Sequence, residues 1–323
     1  MNTSLQSLVT DARGALNSVG AFIGPDRGGA PRFELFSAAS SVCSQKVRAV
    51  LAHHDHTYRS HMVDLFGGQT YVPAYVRLRL KGCDDLGVAL VNQHTGSTSV
   101  ASGGGCDAAV VPTLIDWETD EVVVDSKRIC DHIDAATRRG TTGLRPAHLA
   151  DRLDAEVDII DNLPNYQMLS GLPPGDDRRP DKLRGKTGVA FAMGKVERCD
   201  RYLAEFPDDA GLVRAYTAKR AKELDAATQL FTADAMQDAY RRAEAACDTL
   251  ERRLVAAGTP WLFGDTVTMA DLFWGVEFTR MTNLGADTFW RDGVRPAVAA
   301  YAARTSALPA IRQAITDWPG ALF

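Results

Sequence analysis

Near Arg145-Pro146 the spacing of apolar residues changes for good, and that change divides the chain. Before it, short extended runs alternate with helical patterns; after it, every apolar run repeats at three and four residues. Such an order predicts an α/β unit followed by an all-α unit. The first unit reads as a strand at Phe33 to Phe36, a helix from about Val42 to His54 and a strand at Thr57 to Val63. Beyond AVVPTLID come a turn at Trp117 to Asp120, a strand at Glu121 to Val124, and a helix opened by Asp125 and Ser126. These elements occupy residues 32–140, interrupted at about 82–107 by a Gly/Ser/Thr-rich stretch too long for a routine connection. Residues 1–31 read as an extension of weak helical character closed by the linker GPDRGGAPR.

The second unit, residues 147–318, carries helix patterns near 148–163, 187–206, 210–228, 233–257, 268–282 and 295–317. GLPPGDDRRPDK, between the first two, has no periodicity and reads as an exposed loop. TMAD at Thr268 to Asp271 has the form of a capping box.

A formal charge of −5 over 323 residues provides no basic field for phosphate, so nucleic acid is not an expected partner. No apolar run approaches the roughly 20 residues of a membrane helix, and the first 20 residues lack the parts of a secretory signal. A cytoplasmic protein with no membrane partner is expected. Six scattered cysteines, with no paired spacing, suggest neither a disulfide framework nor a metal site.

Cys43 stands apart from the other five. It falls in the first turn of a predicted helix, where unpaired N–H groups favour an anion, and a thiolate is one. A small apolar filler is the other reading of the same position. Val111-Pro112 lies inside an extended apolar run, where proline breaks a ladder and a cis bond is one explanation. The helix start at Asp125-Ser126 offers N–H groups and side chains to a carboxylate. Three weaker signals read as ordinary structure. His53, His54 and His56 read as solvated histidines at a helix end, Arg77, Arg79 and Lys81 as an exposed strand edge, and the aromatics Tyr166, Phe273, Trp274 and Phe278 mostly as core.

Taken together, a cysteine at the first helix, a strand proline and an acidic-serine helix start resemble the thioredoxin-like domain of glutathione transferases. The resemblance covers about residues 33–318, with WLFGDTVTMADLFWG fitting the helical C-terminal half. SVCSQKVR, YVRLRL, VVPTLID, DSKRIC and WLFGD are similar, more narrowly, to the glutathione-dependent reductive dehalogenases of chlorinated hydroquinones. Zeta-type isomerases have Ser-Ser-Cys where Ser41-Val42-Cys43 stands. The resemblance implies the glutathione transferase fold, a thioredoxin-like domain followed by a helical bundle. It implies catalytic roles for Cys43, as the redox sulfur, and for Ser41, as a donor to the sulfur of glutathione or another small thiol. Val111 and Pro112 would meet the cysteinyl unit, and Asp125 with Ser126 the γ-glutamyl end. A small aromatic substrate and a homodimer are also implied. The reading that remains beside this one is a transferase or isomerase without net reduction.

Overall fold

The structure, a computed structural model, describes residues 4–100, 104–137, 143–171 and 177–323. A five-stranded sheet of order β1-β3-β2-β4-β5 forms the first unit, from β1 (Ala21–Ile23), β2 (Phe33–Ser37), β3 (Tyr58–Met62), β4 (Thr113–Asp116) and β5 (Glu121–Val124). Only β2 and β3 run parallel, Phe33 opposite Tyr58, and helix α2 (Val42–His53) makes the crossover between them. The other neighbouring strands are antiparallel. This is a thioredoxin-like arrangement.

The extension is part of this unit. Leu5, Val9, Ala12 and Leu16, at helical spacing, are buried where α1 (Leu5–Ala15) packs on α3 (Pro73–Asp85), and β1 pairs with β3. Arg13 Nε also donates to Glu34 Oε1 at 2.7 Å, anchoring α1 to β2. The expectation that the folded unit begins at Phe33 therefore fails. The apolar stripe of α1 is narrow because its partner supplies most of the shared core, and a narrow stripe reads as weak in isolation.

RLRLK is not a strand edge but the middle of α3. Pro73 occupies the first turn, and Val76, Leu80 and Cys83 recur at helical spacing on the buried side. Arg79 is 1% exposed. His54 and His56 are not simply solvated: their Nε2 atoms lie 3.0 Å from Asp134 Oδ1 and 2.7 Å from Thr137 Oγ1, on α4 (Ser126–Thr137). Cys83 and Cys106 are buried structural thiols; their sulfurs meet at the neck of the insert, where Leu90 bridges to Cys106.

The second unit comprises α5 (Ala150–Asp161), α6 (Asn165–Ser170), α7 (Gly188–Glu205), α8 (Ala210–Asp225), α9 (Ala233–Ala257), α10 (Met269–Asn283) and α11 (Pro296–Ser306). The single pattern at 295–317 is broken at Leu308-Pro309, where the chain turns before its last helical stretch. Short α6 falls below the length at which periodicity is legible. Of GLPPGDDRRPDK, residues 172–176 lie outside the described residues, and Arg179 is buried rather than exposed, donating to Leu169 O and Asp177. The capping box at Thr268 forms: Asp271 accepts from Thr268 N at 2.7 Å and, with its other oxygen, from Leu262 N at 3.0 Å. Phe273, Trp274 and Phe278 are core residues on α10, each at most 1% exposed.

Helix α2 is the seam between the two units. One face covers the sheet; the other, which looks polar in sequence, is buried by the helical unit. Gln45 Nε2 donates to Ala321 O at 2.9 Å and Arg48 donates to Ala314 O at 2.9 and 3.1 Å. Lys46 Nζ lies 2.8 Å from Asp161 Oδ1 on α5 and 2.9 Å from Glu277 Oε1 on α10, all three side chains being at most 1% exposed. Among the described residues, no helix is long and apolar enough to cross a membrane.

Candidate active site

Ser41 caps α2, its hydroxyl accepting from Ser44 N at 3.3 Å, and Cys43 follows within the first turn. Both line a cavity of about 250 Å³ between the two units. Val111, Asp125 and Ser126 line it as well, so the elements carrying the predicted site residues converge here. Pro112 is not in the lining; it forms the cis Val111-Pro112 bond that precedes β4. Arg79 fixes this corner from beneath, donating to Asp107 O at 2.9 and 3.1 Å, to Thr113 Oγ1 at 2.8 Å and to Pro112 O.

The state of Cys43 differs from the ready thiolate that a helix start alone suggests. Its Sγ lies 2.9 Å from Thr98 O, an acceptor, a contact that suits the thiol rather than the thiolate. Burial pushes it up to about 11; Lys46 offsets part of this, and Asp125 and Asp161 add to it. Desolvation dominates at this site, against the opposite pull of Lys46 and of the Ser126 hydroxyl. Lys46 itself also binds Thr98 Oγ1 at 3.1 Å, between Cys43 and its two carboxylates.

The insert supplies what the sequence left unread. Thr98 holds the thiol, while Ser99 Oγ lies 3.0 Å from both oxygens of Asp125, and Val100 N donates to Asp125 Oδ2 at 3.1 Å. Asp125 sits in the left-handed region at φ 76°, which turns its carboxylate over the start of α4, where it also accepts from Lys127 N at 3.0 Å. The Ser126 hydroxyl is buried and lies beside the Cys43 sulfur, which it stabilises as an anion. The strap at residues 97–100 thus closes one wall of the cavity over Cys43 and Asp125.

The far end of the cavity belongs to the helical unit. Lys219, Lys222 and Glu223, three and four residues apart on α8, share one face, and Lys195 reaches toward them from α7. Lys219 pairs with Asp107 Oδ2 and Glu223 Oε1, each at 2.9 Å, and Lys222 with Asp107 Oδ2 at 3.0 Å. Burial opposes ionisation of both acids, yet the lysines hold Asp107 and Glu223 well below the usual carboxylate range. Tyr166 lines this end and is not plain core, unlike the other aromatics grouped with it. Sequence reading missed the lysines because AKRAKELD looks like a solvated helix face, and their partner Asp107 lies 112 residues away.

Comparison with known proteins agrees with this geometry. Residues 40–136 match the glutathione S-transferase N-terminal domain and residues 233–304 the glutathione S-transferase C-terminal domain. The chain is 40% identical, over 293 residues, to 2,5-dichlorohydroquinone reductive dechlorinases of two Sphingobium indicum strains, spanning 90% of this chain and 84% of those relatives. Among solved structures, the beta-etherase LigF of Sphingobium sp. strain SYK-6 superposes with a TM-score of 0.58 at 15% identity, covering 88% of this chain and 98% of that one. A glutathione transferase of Populus trichocarpa gives 0.53 at 16%, covering 90% of this chain and all of the other. A thioredoxin-like sheet, a helical second unit, a capped cysteine helix facing a cavity between them, and a dechlorinase relative along nine-tenths of the length lead to one conclusion: the chain belongs to the glutathione S-transferase superfamily.

Proposed function

We propose that this protein is a glutathione-dependent reductive dehalogenase of chlorinated hydroquinones. The observation that carries this reading is the convergence of Ser41, Cys43, Val111, Asp125 and Ser126 on one cavity whose opposite end is aromatic and cationic. Asp125, Ser126 and the first turn of α4 would hold the γ-glutamyl end of the thiol, the backbone of Val111, set by Pro112, its cysteinyl unit, and Ser41 its sulfur. Because Ser99 and Val100 occupy Asp125, the strap must yield for a thiol to bind there. The buried Ser126 hydroxyl, beside the Cys43 sulfur, fits a ligand that brings a second sulfur or another polar atom to that point.

The cycle balances as follows. The hydroquinone tautomer loses hydrogen chloride as glutathione sulfur bonds to the ring. Cys43, once ionised, attacks that sulfur; the ring-to-sulfur bond breaks, the ring takes a proton, and a hydroquinone with one chlorine fewer leaves. A second glutathione attacks the Cys43 mixed disulfide and releases glutathione disulfide. Two thiols are oxidised and one carbon–chlorine bond is reduced.

The neutral Cys43 thiol supports a second reading, conjugation or isomerisation without net reduction. A paired assay separates them. With 2,5-dichlorohydroquinone and glutathione, the native protein is expected to release chloride, chlorohydroquinone and glutathione disulfide, while Cys43→Ser stops at a glutathionyl-hydroquinone. Conjugate alone from both proteins refutes the reductive cycle.

A further inference from the structure

The helical end of the cavity carries more positive charge than its own acids neutralise. Among the described residues, the acids paired with Lys195, Lys219 and Lys222 are Asp107 and Glu223, and burial holds the His94 ring neutral and keeps the Tyr71 and Tyr166 hydroxyls protonated. Lys219 and Lys222 are 4% and 8% exposed and tied to Asp107; Lys195 is 17% exposed and opens to the cavity. Its ammonium lies 2.9 Å from the Tyr166 hydroxyl and 3.1 Å from Glu223 Oε2, and packs 4.3 and 4.5 Å from the ring centres of Tyr166 and Phe191. His94 stacks on Tyr166, with ring centres 4.6 Å apart. Across from them the Tyr71 hydroxyl is buried with no hydrogen-bond partner among the described residues. A flat ring with an anionic oxygen matches this end: aromatic walls for its faces, a cation for its oxygen.

We propose that Lys195, backed by Tyr166 and the Lys219 and Lys222 pair, binds the phenolic oxygen of an aromatic substrate and accepts its proton. The proposal rests on the reading above only in that an aromatic ring enters the cavity. In the step, the phenol O–H bond breaks and an N–H bond forms on the Lys195 amine. The electron pair stays on oxygen as phenolate beside the new ammonium, and nothing is oxidised or reduced. Burial works on Lys195 in the direction this needs: it depresses the amine to about 8, Lys219 and Lys222 push the same way, and Glu223 opposes. An amine so placed is free base for part of the time near neutral pH, and the ammonium formed is neutralised by the phenolate.

The test uses 4-nitrophenol, which ionises near neutral pH and whose phenolate is coloured, with the full chain and no thiol. Native protein is expected to bind it as phenolate, shifting its ionisation down by about one pH unit. Lys195→Met should weaken binding at least tenfold and lose the colour shift with the melting temperature preserved. Lys195→Arg, charged at all pH values, should retain phenolate binding and, in turnover of 2,5-dichlorohydroquinone with glutathione, lose the native acid limb of the pH profile. Binding of the neutral phenol, or native-like phenolate binding by Lys195→Met, overturns the proposal. Intact Lys195-dependent phenolate binding without thiol-dependent chloride release instead overturns the dehalogenase reading and leaves this site standing.

Discussion

Alkylation of Cys43 in the free protein gives a direct measure of how burial and the helix start compete. A thiol at about 11 is roughly 0.03% ionised at pH 7.5, against about 10% for an ordinary cysteine near 8.5, so the thiolate is depleted about 300-fold. The other five cysteines are buried, so iodoacetamide under native conditions should mark Cys43 first, and peptide mass spectrometry can follow that site alone. The rate is expected to rise tenfold per pH unit from 7 to about 10. Steric shielding would scale the rate without moving its midpoint, so the midpoint isolates the electrostatics. Asp125→Asn, which removes one of the carboxylates that raise the thiol, should move the midpoint down and speed labelling at pH 7.5. A plateau near pH 7 in the native protein would mean that the N–H groups of α2 outweigh desolvation, and the argument from burial would be wrong.

Other perturbations test the frame around the site. Lys46→Met leaves Asp161 and Glu277 buried without their cation and is expected to cost on the order of 3–5 kcal/mol in urea unfolding; a loss below about 1 kcal/mol would show that the pair relaxes to water. Burial alone would raise Glu34, but hydrogen bonds from His61 and Arg13 hold it down at about 2. Its stabilisation is therefore full above the ordinary value of 4.5 and lost as pH falls through about 2. Glu34→Gln should remove roughly 2 kcal/mol at pH 7 and flatten acid unfolding in that window, with an unchanged acid limb as the contrary result. Removing residues 1–20 deletes the buried Leu5, Val9 and Leu16 and is expected to lower stability by on the order of 5 kcal/mol, measured by thermal melting; an unshifted melt would return α1 to the status of an appendage.

What was legible in the sequence is what local chemistry writes into a few consecutive residues. The serine cap before Cys43, the capping box at Thr268 and Asp271, and the turn between β4 and β5 each need no partner outside their own segment to be read. The burial of Lys46 and Arg48 is not legible locally, because their partners lie on α5, α10 and the last helical stretch. Arg79 was misread because alternating Leu and Arg satisfies a strand period over five residues, and only the continuation to Cys83 shows the helix. The strap was invisible for a different reason: residues 97–100 have no periodicity, and their meaning comes from touching Cys43 and Asp125.

The seam along α2 also limits how this chain can be recombined. Gln45, Lys46 and Arg48 each find a hydrogen-bond partner on a segment that arrives more than a hundred residues later. Exchanging the helical half for that of a relative would strand a lysine and an arginine in a dry interface unless the acceptors came along. Shuffled hybrids of this protein should survive only when Asp161, Glu277 and the backbone around Ala314 and Ala321 are inherited together with the cysteine helix.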